Sequence, residues 1–191
     1  MKQLIFTFLL SAILAPIAQA GGLGLFYGYM NTDDLDSSSG PGAKIRLDLS
    51  DWAGLELKGM YMEGFESDLD GALDQTKLDL TIIPAEIGLA VDLPIADRVR
   101  PYLGAGFGYY NIELENASEF ADAGFDLDDQ VGWYGTLGLR LPLSRFTLFA
   151  DAQVRQIEGS FKIDQFSRIK DEEFDFDLSG WGATAGIMLN W

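Results

Sequence analysis

The feature that most constrains the fold of this chain is an alternation of apolar and polar residues with a period of two. Ile45 and Leu47 alternate with charged neighbours, and Leu148 and Ala150 continue the same pattern much later in the chain. A period of two places alternate side chains on opposite faces of a strand. After the first twenty residues, no segment of the chain is apolar over the roughly 20 residues that a membrane-spanning helix needs. The chain is therefore predicted to be all-β.

Eight segments carry this alternation or a glycine-laced form of it, and each is close to the roughly 9 to 11 residues that a tilted bilayer-spanning strand needs. They begin directly after the first twenty residues and recur to the last residue. The segments are 21–30, 43–49, 55–61, 85–93, 99–111, 131–141, 146–155 and 181–191.

The links between these segments alternate strictly in length. Tight links fall at Ser50–Trp52, Pro94–Arg98 and Pro142–Ser144, and the long polar loops lie between them, at 31–42, 64–77, 112–130 and 158–177. Outer-membrane barrels have short periplasmic turns and long external loops. The predicted fold is an eight-stranded antiparallel up-and-down transmembrane β-barrel.

The N-terminus has the composition of a secretory signal. Lys2 precedes an apolar run over 4–15, and Ala18-Gln19-Ala20 stands directly before Gly21. A positive start, a short apolar stretch and small residues at a cleavage site are the features that export and processing require. We expect residues 1–20 to be a cleaved signal peptide and residues 21–191 to form one barrel domain in the bacterial outer membrane of a Gram-negative cell.

A soluble ligand-carrying barrel would turn its apolar face inward, whereas an outer-membrane barrel turns that face to lipid. The polar face here mixes glycine with bulky groups, as in Arg100, Tyr102 and Tyr110 around Gly104–Gly108, which suits the narrow interior of an eight-stranded barrel. Aromatic residues stand near strand ends, where they suit interfacial girdles. These are Trp52, Tyr61, Tyr109, Trp133, Trp181 and Trp191.

Composition excludes several functions. The chain has no cysteine and no histidine, so it lacks disulfides and the commonest general base and nitrogen metal ligand. The hydrolases and acyltransferases of the outer membrane typically pair a serine or aspartate with histidine, so we expect no enzyme, no catalytic residue and no cofactor. The net charge of −17 at pH 7 argues against nucleic-acid binding.

Charged residues of both signs are predicted to point into the lumen. Isolated ions in a narrow, poorly hydrated space would each cost several kcal/mol, so they should pair across strands. Such a network is either a structural plug or a gate that passes small solutes when it opens. The predicted inward charges are Lys44, Arg46, Asp48, Glu56, Lys58, Glu86, Arg100, Arg140, Asp151 and Arg155.

The long loops hold most of the acidic residues, and one segment approaches the spacing of a calcium loop. Glu66 to Gly71 resembles the start of an EF-hand, but its twelfth position is Lys77 where a bidentate glutamate is needed. No metal site is therefore assigned. Solvated acidic loops are the simpler interpretation, and sharing of divalent cations between these loops and lipopolysaccharide phosphates is the alternative.

Two motifs resemble the small outer-membrane β-barrel superfamily that includes the OmpA transmembrane domain, OmpX, OmpW and the opacity proteins. One is Val99–Gly108, and the other is the terminal Gly186–Trp191. The resemblance implies that Trp181, Ile187, Leu189 and Trp191 form the signal that the barrel-assembly machinery reads, although phenylalanine is the more usual last residue.

The superfamily performs several functions, so the fold does not decide between them. We expect a non-catalytic, monomeric protein in contact with outer-membrane lipid and lipopolysaccharide, contributing to envelope integrity or to surface interaction through its acidic loops. The alternative is transport, through a narrow pore or an OmpW-like path for small or apolar solutes. Adhesion through the loops is a third class.

Overall fold

The computed structural model describes residues 20–32, 37–67, 78–93, 95, 98–114, 125–126, 129–163, 173–177 and 179–191, so the predicted signal peptide lies almost entirely outside the described residues. None of the described segments contains a helix that is long and apolar enough to cross a membrane. The strands are β1 (Gly21–Thr32), β2 (Ser38–Asp48), β3 (Ala53–Met60), β4 (Met62–Ser67), β5 (Leu78–Asp92), β6 (Arg100–Leu114), β7 (Phe125–Asp126), β8 (Gln130–Leu143), β9 (Phe146–Ile163), β10 (Glu173–Asp177) and β11 (Gly180–Asn190).

The long strands pair antiparallel with their neighbours around a closed ring. The order is β1, β2, β3, β5, β6, β8, β9 and β11, and β11 pairs again with β1. β4 continues β3 after a break at Tyr61, so the two together count as one wall strand. The predicted eight-stranded antiparallel barrel is thereby confirmed.

Three short links join strands at one end, which we call the inner end and which the sequence pattern predicts to face the periplasm. Two of them, 49–52 and 93–99, include the predicted tight links. The third lies later than predicted, at Ser144-Arg145, because Pro142 and Leu143 still pair with Thr147 and Phe146. Ser144 adopts a φ of 56°, the left-handed conformation that short hairpin turns require.

At the opposite, outer end the strands run further than the alternation predicts. β1 reaches Thr32, and β9 continues to Ile163, where it pairs with β10 on one side and β7 on the other. The four outer loops were predicted to begin where the apolar pattern stops, and this prediction made them too long. Backbone hydrogen bonds between strands do not need apolar side chains, so pairing continues beyond the membrane-facing segment.

The two faces of each strand are distinct. Most outward-facing leucine, isoleucine and valine residues of the wall are exposed, as a lipid-facing band requires. All six aromatic residues predicted for the girdles are also exposed. Inward side chains are mostly buried, and glycine makes room for the largest of them: a Cβ atom on Gly138 would lie 2.5 Å from the ring of Tyr102.

Candidate functional site

The lumen is the candidate site, and strand alternation brings eight of the ten predicted inward charges into it as buried residues. Asp48 is half-buried near the inner end, and Arg100 is exposed. The buried charges separate into two ion clusters at different heights, with a lysine between them. The eight buried charges are Lys44, Arg46, Glu56, Lys58, Glu86, Arg140, Asp151 and Arg155.

The inner cluster joins two arginines to three carboxylates. Arg46 donates from Nε to Asp48 at 2.6 Å, from Nη1 to Glu56 at 3.2 Å and from Nη2 to Asp92 at 2.9 Å. Arg140 donates from Nη2 to Glu56 at 2.5 Å and from Nη1 to Asp92. Both guanidinium groups therefore share the same two acids, which holds β2, β3, β5 and β8 together across the lumen.

Lys44 lies above the inner cluster. Its Nζ is 3.9 Å from carboxylate oxygens of both Glu56 and Asp151, and 3.4 Å from the centre of the Phe149 ring. Asp151 accepts hydrogen bonds from Tyr102 at 2.5 Å and from Thr184 at 2.9 Å. The lysine is held by charge and by a cation–π contact.

The outer cluster is centred on Glu86. Its carboxylate receives Arg155 Nε at 2.9 Å, Lys58 Nζ at 3.1 Å and Gln153 Nε2 at 2.8 Å. Lys58 also donates to Gln153 at 2.9 Å and lies 4.5 Å from the centre of the Tyr134 ring. Two cations thus share one buried acid, and the Gln153 amide joins Lys58 to Glu86.

Above the outer cluster the lumen is filled by apolar side chains. All of them are buried, and they belong to the same hydrophobic cluster as Phe26 and Tyr110. We call this set the outer apolar layer. Its members are Met30, Met62, Ile82, Ile112 and Ile157.

Sequence reasoning missed several lumen residues. Asp92 and Gln153 occupy alternate positions in phase with the inward-facing residues of their strands, and this alternation was enough to find them. Tyr102 and Tyr110, which the sequence pattern placed on the inward face, hydrogen-bond to Asp151 and Glu86. Only formally charged residues had been assigned to the network, which left out the neutral Gln153, and Asp92 was omitted although its charge and its place on the inward face qualified it.

The expectation that Arg100 joins the network is wrong. Arg100 is exposed, and it forms no hydrogen bond or ion pair with the residues that the structure describes. Its nearest acid in sequence on the inward face, Asp92, is already held by Arg46 and Arg140. At the rim, water solvates the guanidinium, so no ion pair is required there.

A cavity of about 840 Å³ opens at the inner mouth of the barrel, below the inner cluster. We call it the inner vestibule. Further up, a void of about 10 Å³ lies among the side chains of Phe26, Lys58 and Glu86. That void holds at most about one water molecule.

The four residues of the predicted assembly signal lie on β11 or directly after it. Trp181, Ile187, Leu189 and Trp191 are all exposed on the outer wall, with Trp181 toward the outer end and Trp191 at the inner end. Their recognition by the assembly machinery stays a prediction. The wall position nevertheless leaves these side chains accessible from the lipid side.

A smaller polar group lies at the outer rim, outside the lumen. Asp129, just before β8, accepts hydrogen bonds from Tyr109 Oη and from Asn111 Nδ2, the latter at 2.9 Å. These bonds favour the charged form and lower the pKa of Asp129 below its ordinary value. The acidic stretches 33–36 and 68–77, including most of the calcium-like segment, lie outside the described residues.

The chemistry available to this site is limited. The buried carboxylates Glu56, Glu86 and Asp151 are each neutralised by cations, which leaves them poorly placed to accept a substrate proton. Within the described ranges no group of three or more potential metal ligands comes together. The arrangement is suited to holding a lumen closed.

Comparison with known proteins agrees with this architecture. The model of the family described as "Outer membrane protein beta-barrel domain" matches residues 4–162. No curated protein matches the sequence significantly. Among solved structures, OprG of Pseudomonas aeruginosa is similar at a TM-score of 0.72 and 19% identity, over 91% of this chain and 96% of that one.

Two further structures are similar at a lower level. Neisserial surface protein A has a TM-score of 0.54 and 13% identity, with 89% of this chain and 95% of that one covered. AlkL, solved in lipid bilayers, has a TM-score of 0.52 and 14% identity, with 90% of each chain covered. At these identities the likeness concerns the fold alone.

Proposed function

Because the chain belongs to the family of outer-membrane β-barrel domains and is an outer-membrane protein, we propose that it acts as a closed, non-catalytic barrel. In this role it contributes to envelope integrity and presents its acidic outer loops for surface interaction. The family includes barrels of several functions, so the proposal depends on the lumen of this chain.

One observation carries the proposal: side chains cross the lumen at successive levels. The inner cluster, Lys44 with its aromatic contact, the outer cluster and the outer apolar layer follow one another from the inner to the outer end. The central void of about 10 Å³ is too small for a hydrated ion to pass. A barrel filled in this way supports the wall and does not conduct.

The test is single-channel conductance of the refolded barrel in a planar bilayer, with insertion checked independently by protease protection. We expect inserted wild-type protein to be electrically silent. The variant carrying Lys58→Ala and Gln153→Ala thins only the outer cluster and should also stay silent, because the inner cluster and the outer apolar layer still cross the lumen. Openings of the wild type would overturn the proposal of a closed barrel.

A second candidate function is a lateral route for small apolar molecules, and one feature of the wall favours it. Hydrogen-bonded pairing between the β3–β4 wall strand and β5 is interrupted between Gly59–Ala85 and Met62–Ile82. Pro84 lies in this gap, is fully buried and has no backbone N–H to donate. The gap adjoins the outer apolar layer, to which Met62 and Ile82 belong.

Since the chain has no cysteine, a disulfide can test this seam directly. Gly59→Cys with Ala85→Cys places the pair at directly opposed, exposed positions beside the gap. Ala152→Cys with Ala183→Cys is the matched control on the far wall, between β9 and β11. The readout is entry of a small fluorescent hydrocarbon into outer-membrane vesicles under oxidising and reducing conditions.

If molecules leave through the seam, oxidation should slow entry only in the Gly59–Ala85 variant, and reduction should restore it. Equal rates for both oxidised variants would exclude this route. The result is independent of conductance, because lateral passage of an apolar molecule needs no continuous aqueous lumen.

A further inference from the structure

The inner vestibule is a large cavity in the described part of the barrel, and the closed-lumen proposal makes no use of it. Its volume of about 840 Å³ is within the range of small-molecule sites, about 300 to 1,000 Å³. It is bounded above by the inner cluster and opens at the inner end, which is predicted to face the periplasm. A ligand there would therefore arrive from the periplasm.

Three arginines stand in the wall of the vestibule: Arg46, Arg100 and Arg140. Arg46 and Arg140 already bind carboxylates of the inner cluster, whereas Arg100 makes no ion pair with the described residues. An exposed guanidinium facing a cavity retains all five of its donors for a ligand.

The position of Arg100 differs from that of an ordinary surface arginine, because a second arginine lies directly opposite it on the neighbouring strand. Arg100 on β6 is the direct cross-strand partner of Arg140 on β8, and both side chains line the vestibule. Like charges directly opposite each other on one face of a sheet are destabilising. An anion held between the two guanidinium groups would remove that repulsion.

A second, independent observation points to a ligand at the same place. Arg140 is 4% exposed, and its Nε is buried without a hydrogen-bond partner in the described part of the barrel. Its two terminal nitrogens are occupied by Glu56 and Asp92. A buried donor left unsatisfied is costly, so an acceptor reaching Arg140 from the vestibule would be stabilising.

Acidic residues also line the vestibule, and they limit where an anion can sit. Asp48 is paired with Arg46, and Asp92 with both Arg46 and Arg140. Asp51, on the exposed link between β2 and β3, has no ion pair with the described residues. The Arg100 side of the cavity is therefore the favourable side for an anion.

We propose that the inner vestibule binds a small periplasmic anion, a carboxylate or a phosphate, between Arg100 and Arg140. Arg100 provides the free charge and Arg140 the unsatisfied buried donor. Guanidinium groups bind both kinds of oxyanion through charge-assisted hydrogen bonds, so the two sources share one recognition chemistry.

The experiment follows the arginine Nε–Hε signals of the refolded protein by NMR in an uncharged maltoside detergent. Sodium phosphate and sodium acetate are titrated separately, each against sodium chloride at the same ionic strength. We expect saturable shifts of the Arg100 and Arg140 signals with at least one of the two anions. The anion that binds more tightly identifies the phosphate or the carboxylate as the ligand group.

Variants give the proposal a sharp control. Arg100→Gln should weaken the saturable effect on the Arg140 signal by about tenfold or more, whereas Arg98→Gln, a nearby exposed arginine outside the vestibule wall, should leave it unchanged. Asp51→Asn should tighten binding because it removes a free negative charge. Shifts that do not saturate, or that Arg98→Gln reduces as much as Arg100→Gln does, would overturn the proposal.

Discussion

The lumen is closed by ion clusters over its inner and central levels and by apolar side chains at its outer end. The inner half is crossed by shared ion pairs, in which Glu56 binds both Arg46 and Arg140. The outer half ends in the apolar layer around Met62 and Ile82. Ion pairs depend on every partner being present, whereas apolar packing loses stability in proportion to the atoms removed. The ion clusters and the outer apolar layer should therefore respond differently to single substitutions.

The largest effect is expected for Glu86→Ala in the outer cluster. Removal of this acid leaves Lys58 and Arg155 buried without their shared carboxylate, which should lower the free energy of unfolding by about 3 to 5 kcal/mol. Urea unfolding in lipid vesicles, followed by tryptophan fluorescence, measures the change. Glu63→Ala removes an exposed glutamate from β4 and is the matched control, with an expected effect below about 0.5 kcal/mol. Equal effects of the two substitutions would contradict a stabilising role for the cluster.

A smaller effect is expected for Ile82→Ala in the outer apolar layer. Ile82 is completely buried, and its truncation should destabilise the barrel by about 2 to 4 kcal/mol through lost packing and a residual cavity. Ile87→Ala changes an exposed isoleucine of the same strand, where lipid chains can occupy the space left. The same unfolding assay should give a clearly smaller change for Ile87→Ala. If Ile87→Ala lowers the free energy of unfolding as much as Ile82→Ala does, the outer apolar layer does not close the lumen by tight packing.

The smallest effect of a substitution is expected at the outer rim, outside the lumen, where the carboxylate of Asp129 is exposed to water. Tyr109→Phe removes the first of the two hydrogen bonds that lower the pKa of Asp129, so this pKa should rise toward its ordinary value. The bonds contribute stability above the ordinary pKa of the carboxyl and lose it as the pH falls through the lowered one. A carbon NMR titration of Asp129 measures the shift. An unchanged pKa would show that the tyrosine bond does not form in solution.

Much of the fold could be predicted because period-two alternation and link length are local properties of the chain. They indicated eight antiparallel strands, their outward face and the end with short links, and the closed barrel confirms them. The boundaries were less accurate at the outer end, where β9 continues to Ile163 after the apolar alternation has stopped. Strand pairing at the outer end depends on backbone hydrogen bonds to the adjacent strands. The hydropathy of the side chains therefore gives little indication of where the strands end.

The candidate site was less predictable, as Asp92 and Arg100 illustrate. Both stand near strand ends at positions in phase with the inward-facing residues, yet Asp92 binds two arginines and Arg100 binds no described residue. Alternation along a strand determines which face a side chain occupies. It does not determine the level along the barrel axis or the direction in which that side chain contacts side chains of other strands. Those depend on strand tilt and stagger around the barrel.

The sequence by itself determined the class of fold, the charged character of the inner and central lumen and the absence of the residues that histidine-based catalysis needs. Only the tertiary structure decided which charges meet. Lys58 and Gln153 are 95 positions apart, and Arg155 and Glu86 are 69 apart. Such contacts form only after the ring of strands has closed, because closure brings opposite walls within reach of a single side chain. The inner vestibule and the free Arg100 beside it follow from the same closure.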